Sequence, residues 1–172
     1  MVKMSRSQAI FQTLLEHLYQ VSMKGALFSL IIVLLLILLQ IVDRYFPQVI
    51  VFSTGWLDEI LQLFVVWMVF LGAVAVACTG SHISVNLLEF GQLKLLQPFV
   101  RKIVDLSLAV FGLILLVAGI QLAHATMSQS SPILFWPKGL WYLPVATGGL
   151  GLLCVSICRR VLNKSLVDKD LE

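Results

Sequence analysis

Four long apolar runs, none with a charged residue, dominate the pattern of hydrophobic and polar positions along the chain. Their bounds are Gly25–Val42, Ile60–Ala77, Leu106–Ala123 and Leu140–Cys158. Each run has 18 or 19 residues, and a helix of that size is about 27 Å long, close to the hydrocarbon core of a bilayer. Because helices satisfy every backbone group within one segment, the runs predict an all-α integral membrane protein with four transmembrane helices.

Two further stretches have apolar residues at helical spacing without being apolar throughout. Residues 7–23 have such a face, which begins with Ile10 and Leu14, and residues 83–100 show a similar mixture. We expect both to form amphipathic interfacial helices lying in the plane of the membrane surface. The alternative is that they pack against the helix bundle. No internal repeat or linker interrupts the sequence, so residues 1–172 are expected to form a single four-span membrane domain.

The fourth run is the least regular of the four. It contains Pro144, which falls in the first turn of the expected helix, where a missing amide donor matters least. The pair Arg159 and Arg160 follows the run and gives it a basic end. A fourth transmembrane helix is therefore still expected here.

Composition supports a membrane protein, and the distribution of basic residues predicts its orientation. The chain is 59% hydrophobic and 12% charged. Ten of its twelve lysines and arginines lie in the N-terminal segment, the connection between the second and third runs, and the C-terminal tail. Only Arg44 and Lys138 lie in the other two connections. Because cytoplasmic segments are enriched in Lys and Arg, both termini are predicted to be cytoplasmic.

The sequence shows no constellation typical of catalysis or metal binding. His17, His82 and His124 all lie away from the middle of the apolar runs, and no CxxC motif occurs. No basic arm with interleaved aromatic residues is present, so no nucleic acid partner is expected. We therefore expect a protein that is not an enzyme and that has no cofactor and no metal site.

The middle of each apolar run also lacks charge, although charged residues within a membrane usually mark a transport pathway. This pattern argues against a self-sufficient pump or exchanger and favours a scaffold or accessory subunit.

The second run has a bulky centre and a second half rich in small residues. Trp67 lies in the middle, and Gly72 and Ala73 follow. Small residues allow another helix to approach closely. That helix belongs either to this chain or to a larger membrane partner, and the sequence leaves both alternatives open.

Two adjacent acids, Asp58 and Glu59, precede the second run, close to Trp56. Acids in the first turn of a helix stabilise its N-terminus by about 0.3–1 kcal/mol each. Alternatively, they form a negative rim or bind a basic residue of a partner.

The segment WLDEILQLFVVWMVFLGAVAVACTGSHISVNLLE resembles the small membrane subunit of tripartite ATP-independent periplasmic (TRAP) transporters, of the DctQ or SiaQ type. The resemblance lies in Trp56, the acid pair Asp58 and Glu59, the sequence FLGA at residues 70–73, and HISV, which begins at His82. Chain length, four runs and the expected cytoplasmic ends fit the same family.

The resemblance implies a small scaffold subunit of a sodium-coupled secondary transporter in the bacterial inner membrane. Its expected partners are a large multi-span subunit that holds the sodium and substrate sites, a periplasmic substrate-binding protein, and membrane lipid. The substrates implied are organic acids of the dicarboxylate or sialic acid class. The alternative function is a stand-alone membrane interaction protein without a role in transport.

Overall fold

The computed structural model describes residues 6–45, 55–79 and 97–169 of the 172-residue chain. Four α-helices occupy almost all of these residues: α1 (Arg6–Tyr45), α2 (Gly55–Thr79), α3 (Gln97–Thr126) and α4 (Leu143–Lys169). A short 3-10 helix, Lys138–Trp141, precedes α4. All four α-helices contain stretches long and apolar enough to cross a membrane, and no strand occurs in the described residues. The predicted fold class is therefore confirmed.

The helices pack as two antiparallel pairs. Helix α1 lies along α2, and α3 lies along α4. The contact between α2 and α4 joins the two pairs, and α1 also touches α4. Consequently, the end of α1, the start of α2, the end of α3 and the start of α4 lie at the same end of the bundle. We call this the outer end, and the opposite one the inner end.

Helix α1 differs from the expected arrangement, because residues 7–23 do not form a separate helix. They are the first part of one continuous helix of 40 residues. The physical reason is that residues 22–26 contain no proline, and a single glycine, Gly25, costs a helix only about 1 kcal/mol. Leu15, Leu18 and Tyr19 pack against the bundle, as in the alternative left open by the sequence, whereas Ile10 and Leu14 remain exposed.

The second expected interfacial helix, residues 83–100, lies mostly outside the described residues. Only residues 97–100 are described, and they form the first turn of α3.

The fourth run also differs at its start, since α4 begins at Leu143 rather than at Leu140. Leu140 belongs to the 3-10 helix, and Pro144 occupies the first turn of α4, where its side chain is fully buried. Proline fixes the backbone and lacks an amide donor, so it suits the first turn of a helix and not its interior. The prediction for Pro144 is confirmed.

Glycines bring α3 and α4 into backbone contact. A Cβ added at Gly112 would lie 3.0 Å from the Gly149 carbonyl oxygen, and one added at Gly119 would lie 2.7 Å from the Ala146 nitrogen. On the other side of α4, Gly148 receives the Phe70 side chain of α2. Helix α4 therefore contacts both of its neighbours through glycines.

Candidate functional site on the second helix

The carboxylate of Asp58 joins the outer ends of α1 and α2. Gln40 donates a hydrogen bond from Nε2 to Asp58 Oδ1, with a donor–acceptor distance of 2.6 Å. Both residues are polar and lie at the ends of apolar runs, and each provides the other with a hydrogen-bond partner. The partner of Asp58 thus lies within the chain.

The carboxylate of Glu59 holds the connection between α3 and α4. The backbone N–H of Ile133 donates to one carboxylate oxygen at 3.3 Å, and that of Leu134 donates to the other at 3.1 Å. The Ile133 side chain also covers the start of α2, where a Cβ on Gly55 would lie 2.6 Å from its Cδ1 atom. One acid of the pair therefore binds α1, while its neighbour binds a loop more than seventy residues away.

The loop that Glu59 holds is a tight hairpin with an apolar tip. Ser131 donates its backbone N–H to the Trp136 carbonyl at 2.8 Å, and Lys138 donates its own to the Gln129 carbonyl at 2.8 Å. At the tip, Phe135 has a φ of 56°, in the left-handed region that bulky residues rarely adopt, and its side chain is 78% exposed. The hydrogen bonds at the base and the Glu59 carboxylate hold this strained turn in place.

A cleft of about 520 Å³ opens beside Glu59, between α2, the hairpin and the start of α4. Its polar lining includes Glu59, Gln62 and Lys138. The buried Ser131 hydroxyl lies near the Glu59 carboxylate. It forms no hydrogen bond of standard geometry with any described residue. Further along, the lining becomes apolar. The cleft thus has a charged entrance and an apolar interior.

Gly72 and Ala73 of the second run face away from the rest of the described chain, whereas Ala75 and Ala77 are buried in the core. A Cβ added to Gly72 would have no atom within 4 Å, and Ala73 is exposed. The sequence left open whether Gly72 packs against a helix of this chain or against a larger membrane partner. Among the described residues, no helix of this chain packs against it. Trp67 is half-buried at the centre of α2, and Trp56 is exposed at its outer end. His82 lies outside the described residues.

Sequence reasoning missed the partners of the two acids and the cleft. Gln40 and Lys138 have ordinary positions at the ends of apolar runs. The hairpin carries only a weak signal, which is that residues 129–137 combine two prolines with apolar residues and no charge. Among the described residues, no group of three His, Cys, Asp or Glu side chains is placed to hold a metal ion.

Comparison with known proteins gives one match, to the family model for the DctQ component of tripartite ATP-independent periplasmic transporters, over residues 33–166. The chain belongs to the DctQ family. No curated protein and no solved structure matches it. The matched region runs from the middle of α1 to the inner part of α4 and contains Asp58, Glu59 and the hairpin. A DctQ component is part of a transporter and is not an enzyme, and the four apolar helices make this one a multi-pass membrane protein.

Proposed function

We propose that this DctQ protein is the stationary scaffold subunit of a sodium-coupled importer of organic acids. The carrying observation is the family match combined with the charge pattern of the helices. No Asp, Glu, Lys or Arg occurs between Lys24 and Asp43 in α1, or between Glu59 and the end of α2. The same holds for the central parts of α3 and α4. The central parts of these helices provide no charged side chain for a coupling ion or an acidic substrate.

The sodium and substrate sites then belong to a large multi-span subunit, and a periplasmic binding protein delivers the organic acid. The dicarboxylate and sialic acid classes are the substrates that the family resemblance implies. The open surface around Gly72 supports a protein partner, because a helix that presents small residues to no neighbour of its own leaves room for another helix.

The proposed location is the bacterial inner membrane, with both termini cytoplasmic. The distribution of lysine and arginine supports this orientation, because ten of the twelve lie in the segments expected on the cytoplasmic side. The outer end of the bundle, with the Glu59 hairpin, then faces the periplasm.

The test is reconstitution into liposomes with a sodium gradient and labelled organic acids. We expect no uptake by this chain alone, and uptake when the large subunit is present and the binding protein is added outside. Uptake by the chain alone would show that it carries the transport pathway itself, contrary to the scaffold proposal.

A further inference from the structure

The cleft beside Glu59 changes from charged to apolar along its length. On α2 its lining residues lie on one helical face, in the order Glu59, Gln62, Val66 and Phe70. At ~1.5 Å per residue, this face extends for about 16 Å along the helix axis. Its charged end is at the outer end of the bundle, and its apolar end points toward the middle of the candidate transmembrane region. A ligand that matches this gradient has a polar head and an apolar tail.

The charged end contains a carboxylate and an ammonium group that do not neutralise each other directly. Glu59 and Lys138 both line the cleft and interact electrostatically, but no ion pair within 4.0 Å joins them in the described structure. Lys138 is exposed, and Glu59 keeps part of its surface accessible. Opposite charges that are separated across an opening fit a zwitterion, because each charge of the ligand then has its own partner.

The apolar end is closed by the packing of α2 against α4. Phe70 sits over Gly148, where an added Cβ would lie 2.7 Å from its ring, and Val74 sits over Gly151 in the next turn. Above this contact the two helices leave room, and Val66 and Val145 line the walls. An acyl chain can therefore run along the cleft down to Phe70 and no further.

We propose that the cleft binds one bilayer phospholipid whose headgroup carries both a phosphate and a primary ammonium. The ammonium donates hydrogen bonds to Glu59, and the phosphate accepts from Lys138 and the Gln62 amide. One acyl chain lies on Val66 and Phe70. A soluble zwitterion would leave the apolar walls unused, and a purely anionic lipid would leave the Glu59 carboxylate without a cationic partner.

The experiment uses the purified full-length chain in mild detergent. It is mixed with equal amounts of phosphatidylethanolamine and phosphatidylglycerol that have identical acyl chains. The number and type of bound lipids are then measured by native mass spectrometry. We expect one bound lipid, with the ethanolamine form preferred about tenfold, the effect of one hydrogen bond to a charged group. Glu59→Gln should abolish this preference, because the amide carries no negative charge to attract the ammonium. Asp58→Asn is the matched control, since Asp58 binds Gln40 and does not line the cleft.

Two further variants separate lipid binding from folding. Lys138→Gln changes an exposed side chain and should weaken binding of both lipids. Val66→Trp fills the apolar part and should remove the bound lipid whatever its headgroup. Circular dichroism and the unfolding temperature report whether each variant folds. If Lys138→Gln and Val66→Trp are folded and both retain the lipid, or if Asp58→Asn acts like Glu59→Gln, the proposal is wrong.

Two more arms distinguish the source of the ligand. Free phosphoethanolamine, added in excess, should not displace the lipid, and displacement at equal concentration would indicate a site for a soluble zwitterion instead. A photo-crosslinking residue at position 66 should label lipid in the complex with the large subunit. If it labels the large subunit and the lipid is lost on assembly, the cleft is a protein contact and the lipid proposal fails.

Discussion

Small residues occur both at the interface between α3 and α4 and around Gly72 on α2, but only those at the interface have another helix opposite them. At the interface, an added Cβ on Gly149 would lie 2.5 Å from the Leu116 nitrogen and 2.8 Å from the Gly112 carbonyl oxygen. At Gly72 an added Cβ would meet nothing within 4 Å. A glycine in a membrane helix therefore marks a close helix contact only when another helix lies opposite it.

The difference indicates two roles for small residues in this protein. Between α3 and α4 they stabilise the chain itself, because close backbones gain van der Waals contacts that lipid does not replace. On α2, Gly72 and Ala73 are open to a contact with another molecule. The following predictions test this distinction, from the largest expected effect to the smallest.

Adding one methyl group at Gly149 should destabilise the chain strongly. In Gly149→Ala the new Cβ meets backbone atoms of Leu116 and Gly112, which cannot rotate away as a side chain would. Overpacking of this kind costs about 1–3 kcal/mol, or more where the backbone must move. The measurement is the free energy of unfolding in mixed detergent micelles. Gly72→Ala is the matched control and should unfold like the wild type, so equal losses in the two variants would contradict the distinction.

A large side chain at Gly72 should weaken the complex and leave the chain intact. In Gly72→Leu the side chain enters open space within this chain, so folding and membrane insertion should be normal. Against a partner helix it costs about 1–3 kcal/mol, which corresponds to about tenfold or more in affinity. The measurement is the amount of large subunit that co-purifies.

Val76→Leu is the control for this variant, since Val76 is also exposed on α2 but is already a larger residue. A normal complex with Gly72→Leu would mean that lipid, and not a protein, covers this surface.

The hairpin held by Glu59 gives a third test, since it is a contact within the chain made by charge rather than by small residues. In Glu59→Gln the amide oxygen still accepts one N–H, but the amide NH₂ faces the other donor, so the amides of Ile133 and Leu134 should exchange with solvent several-fold faster. We also expect lower substrate uptake by the assembled transporter, because the hairpin lies at the end of the bundle proposed to face the binding protein. The measurements are hydrogen exchange and uptake into proteoliposomes.

The control for the hairpin is Asp58→Asn, which changes the neighbouring acid and should leave both amides protected, because Asp58 binds Gln40. Wild-type uptake by Glu59→Gln would remove the hairpin from the transport function.

The smallest effect is expected at the inner end of the interface between α3 and α4. The Ser156 hydroxyl donates to the Asp105 carbonyl at 2.8 Å, and Ser156 is buried. Ser156→Ala should reduce the free energy of unfolding by about 0.5–1.5 kcal/mol, the usual contribution of one hydrogen bond. The measurement is the same unfolding titration. Ser107→Ala, at an exposed position of α3, should not reduce stability, because alanine is the better helix former. An equal loss in both variants would show that the loss does not come from the Ser156 hydrogen bond.

The sequence predicted the helices well, because each apolar run is long and uninterrupted and because Pro144 falls where a helix tolerates it. It did not predict that α1 is continuous, since an amphipathic pattern fits a helix on the membrane surface as well as one against a bundle. Leu15 and Leu18 resolve that ambiguity only through their contacts with the core.

The candidate site was predicted in part. The sequence singled out Asp58, Glu59 and Gly72 by their types and positions, but their surroundings depend on residues far along the chain. Glu59 meets the backbone of Ile133 and Leu134, and a backbone N–H carries no sequence signal. Whether Gly72 faces this chain or another molecule is set by the rotation of α2 about its axis, which small residues alone do not determine.

The continuous helix α1 has a mechanical consequence. It is held at its outer end by the bond from Gln40 to Asp58, and toward its inner end by the packing of Leu18 and Tyr19. These two attachments are about 30 Å apart along the axis, roughly the thickness of the hydrocarbon core. A rod fixed at two points that far apart resists tilting, because any rotation about one point must break the other. Helix α1 therefore links the two surfaces of the bundle as one continuous element.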